Sequence, residues 1–153
     1  MSTSTDRIER EVLIKAPRSK VWKALVNAEE LGQWFGVNLK GKSFVAGQHT
    51  QGKITYPGYE HLVMDVLIER IEPETLFSWR WHPNAVDTNV DYSSEPRTLV
   101  EFILKDVEGG TLLSVVESGF DKIPAGRRLD AFRGNSEGWS IQVKNIERHV
   151  ATH

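Results

Sequence analysis

The sequence predicts an α+β fold, in which a curved antiparallel sheet of about seven strands packs against one long C-terminal helix. Residues 40–118 are rich in β-branched side chains and are divided by turn pairs such as Pro57-Gly58 and Gly109-Gly110. Residues 129–150 instead carry apolar side chains at spacings of three and four, the period of a helix. The sheet needs a cover for its apolar face, and this helix is the only predicted element long enough.

The N-terminal segment predicts one strand followed by two short helices. "IEREVLIK" (8–15) is rich in β-branched residues and ends before Pro17, which suits the first turn of a helix. The helix "RSKVWKALV" follows, with one apolar stripe. Asn27, with Glu30 three positions later, predicts the start of a second helix, which Gly32 soon interrupts.

The central segment predicts a meander of antiparallel strands. Turn signals divide residues 40–83 into three or four strands. Residues 60–72 are long for one strand, which indicates curvature and a bulge. Two further strands flank the Gly109-Gly110 hairpin signal, and the polar connection at residues 82–97 is long enough to border a pocket.

The last helix is expected to cover the concave face with a single apolar stripe. Its weakest point is Ser136, where a large residue would be expected. The stripe consists of Leu129, Phe132, Ser136, Trp139, Val143, Ile146 and Val150.

Composition narrows the function classes. Nineteen Lys and Arg against twenty-one Asp and Glu give a formal charge of −2, which argues against nucleic-acid binding. The chain has no cysteine, which excludes disulfides and thiolate metal sites. No segment is apolar enough for a signal peptide or a membrane span, so we expect a cytoplasmic protein. We expect one domain over residues 1–153, with a disordered N-terminus at residues 1–6.

Two apparent motifs lack the context that their chemistry requires. Residues 36–43, "GVNLKGKS", match the phosphate-binding loop pattern, but no strand precedes them and no helix follows. The five histidines show no metal-ligand spacing, so we expect neither a metal nor another cofactor.

The stretch "FSWRWHP" (77–83) alternates aromatic and polar residues. On a sheet with one solvated face, Arg80 and His82 are expected on the outer face. Phe77, Trp79 and Trp81 then face the concavity, where they either fill a core or line a pocket.

Four stretches resemble the Activator of Hsp90 ATPase homologue 1-like proteins of the START-like (SRPBCC, Bet v 1-like) superfamily. They are "IEREVLIKAPRSKVWKALVNAEELGQWF", "FSWRW", "SGF" and "GWSIQVKNIERHV", within residues 8–150. The resemblance implies a helix-grip fold with a largely apolar cavity between the sheet and the C-terminal helix. It implies no shared catalytic motif, because superfamily members include carriers, cyclases and co-chaperone domains.

The leading functional hypothesis is non-catalytic binding of a small hydrophobic or aromatic molecule in that cavity, with no catalytic residue. One alternative is an enzyme of the polyketide cyclase or hydrolase kind using Arg80, Glu117 or Asn135. Another is a co-regulator of an Hsp90-type chaperone ATPase, although we expect no room for the additional N-terminal domain of the eukaryotic co-chaperone. The sequence leaves open whether the protein forms a homodimer. The expected ligand-binding residues are Trp34, Phe35, Met64, Val66, Trp79, Trp81, Phe120, Phe132 and Trp139.

Overall fold

The computed structural model describes residues 6–153, and its elements follow the predicted order. Most of the N-terminus expected to be disordered, residues 1–5, lies outside the described residues. Asp6 is held in place, since its carbonyl oxygen accepts from the backbone N–H groups of Gly119 and Phe120, both at 3.1 Å. The elements are β1 (Arg7–Ile14), α1 (Arg18–Val26), α2 (Ala28–Phe35), β2 (His49–Lys53), β3 (Val63–Glu72), β4 (Leu76–Trp81), β5 (Thr98–Val107), β6 (Gly110–Ser118), a 3-10 turn (Phe120–Lys122) and α3 (Ala125–Thr152).

The described strands form one antiparallel sheet in the order β1-β6-β5-β4-β3-β2. It has six strands rather than about seven, because residues 41–48 form turns and irregular backbone outside the strands. The predicted bulge is confirmed, since the register of β3 against β4 shifts between Ile68 and Arg70. The hairpin between β5 and β6 turns at Glu108 and Gly109, so the second glycine of the predicted pair is the first residue of β6. Along the strands, alternate residues are buried on one face of the sheet.

The two short helices begin where the sequence predicts, but the second continues further. The Asn27 side chain accepts a hydrogen bond of 2.9 Å from the backbone N–H of Glu30 and caps α2. Gly32 does not interrupt α2. It lies inside the helix, where a Cβ atom would come within 2.3 Å of the carbonyl oxygen of Val37. The helix ends instead at Gly36, whose φ of 92° is readily adopted only by glycine.

Aromatic side chains fill most of the concave face. Phe77 and Trp79 on β4 and Phe102 on β5 are almost completely buried. Their rings contact one another, and Phe102 also contacts Trp139 on α3 at a centroid distance of 5.7 Å. Of the two interpretations of the aromatic strand, core filling therefore applies to Phe77 and Trp79.

The apolar stripe of α3 departs from the prediction at two positions. Leu129 points away from the core, with 56% of its surface exposed. A polar residue suits position 136, because Ser136 accepts hydrogen bonds from Arg10 on the inner face of β1. The guanidinium donates to the Ser136 hydroxyl and carbonyl oxygens at 2.7 and 3.0 Å, and to the Ser140 hydroxyl at 2.9 Å. The gap in the stripe is thus a polar link between sheet and helix.

Candidate functional site

One space beside the aromatic core lies near the end of β4, between Trp81 and the middle of α3. A small opening of about 100 Å³ is lined by Phe35, Trp81, Asn135, Gly138, Trp139 and Gln142. A second opening of about 220 Å³ shares three of these residues, Phe35, Trp81 and Asn135, and extends under the 82–97 connection. Sites for drug-sized ligands usually have about 300–1,000 Å³. Each opening by itself therefore fits a small group rather than a large ligand.

A buried carboxylate, Glu117, lies behind the wall that these openings share. Its side chain is fully buried and accepts hydrogen bonds from four side chains. The indole N–H groups of Trp81 and Trp139 each donate at 2.8 Å, and the Thr98 hydroxyl donates at 2.5 Å. The Asn135 amide donates to both carboxylate oxygens, at 2.9 and 3.1 Å. The carboxylate thereby fixes two rings of the opening.

Sheet register and helix period explain why these groups meet. Glu117 on β6 pairs with Val100 on β5. Thr98 lies two residues before Val100, on the same inner face of β5, and pairs with Trp81 on β4. Asn135 and Trp139 are four residues apart on α3 and therefore share one helix face. Neighbouring strands and one helix turn thus converge on a single carboxylate.

The hydrogen bonding of Glu117 suits a structural role better than proton transfer. Each carboxylate oxygen accepts at least two hydrogen bonds. A general base must instead reach a proton of the substrate within hydrogen-bonding distance. Among the described residues no basic side chain forms a salt bridge with Glu117, so the network is held by neutral donors alone. The arrangement orients rings and holds a negative charge behind them.

One arginine ties the 82–97 connection to α3. Arg127 forms a largely buried ion pair with Glu95, with a shortest distance of 2.6 Å, and donates to the carbonyl oxygen of Pro83 at 2.7 Å. Its guanidinium also lies over the ring of Tyr92, 4.7 Å from the centroid. His82 approaches the carbonyl oxygen of Glu95 with its Nε2 at 3.1 Å, and burial lowers the pKa of this imidazole. These contacts hold the connection against the larger opening.

The structure brings together four of the nine residues predicted to bind a ligand. Phe35, Trp81 and Trp139 line the smaller opening, and Met64 lines the larger one with Phe35 and Trp81. Trp34 borders a separate groove near the end of α3 and donates its indole N–H to the carbonyl oxygen of Ala24 at 2.8 Å. The other four line neither opening and pack in or against the core: Val66, Trp79, Phe120 and Phe132.

The two polar residues of the aromatic strand have different positions. Arg80 lies on the outer face as predicted and pairs with Glu69 at 3.0 Å. The expectation for His82 is wrong, because it lines the larger opening. Strand β4 ends at Trp81, so the alternation that would have turned His82 outward no longer applies.

Glu117 and Asn135 are expected from the sequence only as candidates for an enzyme, and Thr98 and Gln142 are not expected at the site at all. A signal for Glu117 was present in the sequence. The inner face of β6 carries Leu113 and Val115, and a glutamate in the same phase is expected to be buried. The donors could not be identified, because they come from three other elements.

Solved structures share this fold at low sequence identity. A protein from Mesorhizobium loti, MLL2253, aligns with a TM-score of 0.71 and 22% identity over 95% of this chain and 97% of its own. A protein from Arthrobacter aurescens aligns with a TM-score of 0.76 and 13% identity over 99% and 91% of the two chains. DynU16, from the dynemicin biosynthetic locus, aligns with a TM-score of 0.72 and 22% identity, and this chain spans 48% of its length.

Sequence comparison identifies the family. No curated protein sequence matches the chain significantly. Within residues 6–153, no helix combines the length and apolar character needed to cross a bilayer. A sequence model of the Activator of Hsp90 ATPase homolog 1-like proteins matches residues 15–151, which is nearly the whole chain. With its antiparallel sheet and long C-terminal helix, the chain therefore belongs to the Activator of Hsp90 ATPase homolog 1-like family, within the SRPBCC (Bet v 1-like) group.

Proposed function

We propose that this protein binds a small molecule without transforming it, and that the ligand places one compact group in the smaller opening. The observation that carries the proposal is the wall of Phe35, Trp81 and Trp139, in which both indoles are fixed by hydrogen bonds to Glu117. Rings held in place before binding lose little freedom when a ligand arrives, which favours affinity. The remainder of the ligand extends into the larger opening that Phe35 and Trp81 also border.

The titratable groups near the openings favour binding over catalysis. The described residues that line the smaller opening are aromatic, amide-bearing or glycine, with no acid or base among them. In the larger opening, Asp65 accepts from Gln51 and pairs with His49, and His82 is directed at a backbone carbonyl. A cyclase or hydrolase role would require Glu117 to give up donors that it now holds.

The family supports ligand binding in general terms. Its fold is compatible with ligand carriers and with polyketide cyclase-like proteins, and the location of DynU16 in a biosynthetic locus describes that protein alone. Among residues 6–153, the aromatic wall fixed by Glu117 supports a ligand site beneath α3. We therefore place the ligand there.

A blocking substitution tests the site. Gly138 lines the smaller opening, and a Cβ atom added there would meet no heavy atom within 4 Å. Gly138→Leu should fill the opening while leaving the fold intact. Gly126→Leu, in the first turn of the same helix, is the matched control, because its Cβ atom also meets open space.

Binding can be measured by tryptophan fluorescence and by ligand-observed NMR against a library of small aromatic and aliphatic compounds. We expect at least one compound to bind saturably to the wild type and to Gly126→Leu. The same compound should bind at least about tenfold more weakly to Gly138→Leu, since a filled opening excludes its compact group. Retained affinity in a folded Gly138→Leu protein, or a library without any saturable ligand, would refute the proposal.

A further inference from the structure

We infer that the group entering the smaller opening is cationic, of the alkylammonium class. The inference rests on the proposed function and adds the chemical nature of the ligand. It follows from three features: a buried carboxylate without a salt-bridge partner, the direction of the indole N–H groups, and the chemistry of the rim.

The first feature is the charge of Glu117. The side chain is fully buried, and among residues 6–153 it has no salt-bridge partner. Arg10 lies on the inner face of the neighbouring strand, one pleat from Glu117. Its guanidinium donates to Ser136, Ser140 and the Glu9 carbonyl oxygen and makes no direct ion pair with Glu117. A charge in a low-dielectric interior acts over longer distances than it would in water. The opening next to Glu117 therefore favours positive charge.

The second feature is the orientation of the two indoles. Trp81 and Trp139 direct their N–H groups, the electropositive part of each ring system, toward the carboxylate. Donation to an anion polarises an indole further and makes its face a better partner for a cation. Together with Phe35 the rings form one continuous wall, with centroids about 6 Å apart. Tryptophan faces are the strongest cation–π partners among the side chains.

The third feature is the rim of the opening. Asn135 directs its amide NH₂ at Glu117, and Gln142 directs its NH₂ at the carbonyl oxygen of Phe35 at 2.8 Å. Among residues 6–153, no lysine, arginine or histidine lines the smaller opening. An anionic group would therefore meet no cation from this part of the chain. The volume of about 100 Å³ suits a compact head group such as a trimethylammonium.

Choline and 3,3-dimethylbutan-1-ol provide a matched pair of probes, because they differ only in the replacement of the charged nitrogen by carbon. Each is titrated into the protein while the methyl proton shifts and the tryptophan fluorescence are recorded. We expect choline to bind about tenfold more tightly than its neutral counterpart, with methyl signals shifted upfield by the aromatic rings.

Two variants test the source of the preference. Glu117→Gln removes the charge and should reduce the preference for choline to about twofold or less. Glu101→Gln removes one carboxylate from the outer face of β5 and should leave the preference unchanged. Circular dichroism establishes that both variants fold, and the comparison of probes in the wild type does not depend on either of them.

The outcomes separate this inference from the proposed function. If the neutral probe binds as tightly as choline, or if neither binds while other library compounds do, the cationic inference is wrong and the proposed function stands. If nothing binds saturably, both fall. A preference for choline that survives in folded Glu117→Gln would also overturn the inference, because the charge would then come from elsewhere.

Discussion

Replacing Glu117 with alanine should strongly destabilise the fold, because it removes the shared acceptor of four side chains. The Trp139 indole is 3% exposed and Thr98 is fully buried, so neither donor can turn to water. Each buried donor without an acceptor costs about 1–3 kcal/mol. Trp81 and Asn135 are only partly buried and can recover bonds to solvent. We therefore expect a loss of about 3–5 kcal/mol in the free energy of unfolding.

Urea denaturation followed by tryptophan fluorescence measures this loss as a lower midpoint with little change in slope. Glu117→Gln preserves the side-chain volume and one acceptor oxygen, so about half the loss is expected. Glu101→Ala on the outer face is the control and should change stability by less than about 0.5 kcal/mol. A loss below about 1 kcal/mol for Glu117→Ala would show that the network does not bear on stability, and the reasoning would fail.

Three further predictions concern other parts of the molecule. Arg127→Ala should raise proteolytic cleavage within residues 82–97 by about tenfold, because the ion pair to Glu95 and the bond to Pro83 are both lost; an unchanged cleavage rate would contradict this. Burial lowers the pKa of His82 from its ordinary value of 6.5, so the neutral imidazole stabilises the fold above about pH 6.5 and this contribution is lost as the pH falls through the lowered pKa. Proteolytic cleavage of the 82–97 connection should therefore rise in the wild type as the pH falls below about 6.5. The same cleavage should stay constant in His82→Gln. Gly52→Ala should lower the free energy of unfolding, measured by urea denaturation, by about 2 kcal/mol, because its Cβ atom would lie 2.3 Å from the Asn38 carbonyl oxygen. A variant as stable as the wild type would show that the backbone relaxes around this contact.

The sequence predicted the fold well because its strongest signals are periodic and local. The Gly109-Gly110 hairpin, the bulged third strand and the terminal helix each follow from neighbouring residues. The error in the strand count arose at residues 41–48, where Val45 and the turn signal at Ala46-Gly47 suggested a further strand. Turn residues show where the chain bends, whereas pairing depends on a partner strand that local sequence does not specify.

The site was predicted less completely, for a reason visible in its residues. Alternation correctly placed Trp79 and Trp81 on the same face, yet the first is sealed in the core and the second lines an opening. The difference depends on where α3 crosses the sheet, which is a property of tertiary packing. Likewise Asn135 reaches Glu117 only because the middle of α3 packs next to the end of β6.

In the proposed binding mode, two separate residues, Glu117 and Arg127, hold the two parts of the ligand site. The wall that a ligand would contact is fixed through Glu117, whereas the segment over the larger opening is held by a different residue at the start of α3. Loosening the second contact would leave that wall in place and act on the segment beside the remainder of the ligand. Exchange of the ligand can thus be adjusted at one end of the helix without altering the rings that recognise its compact group.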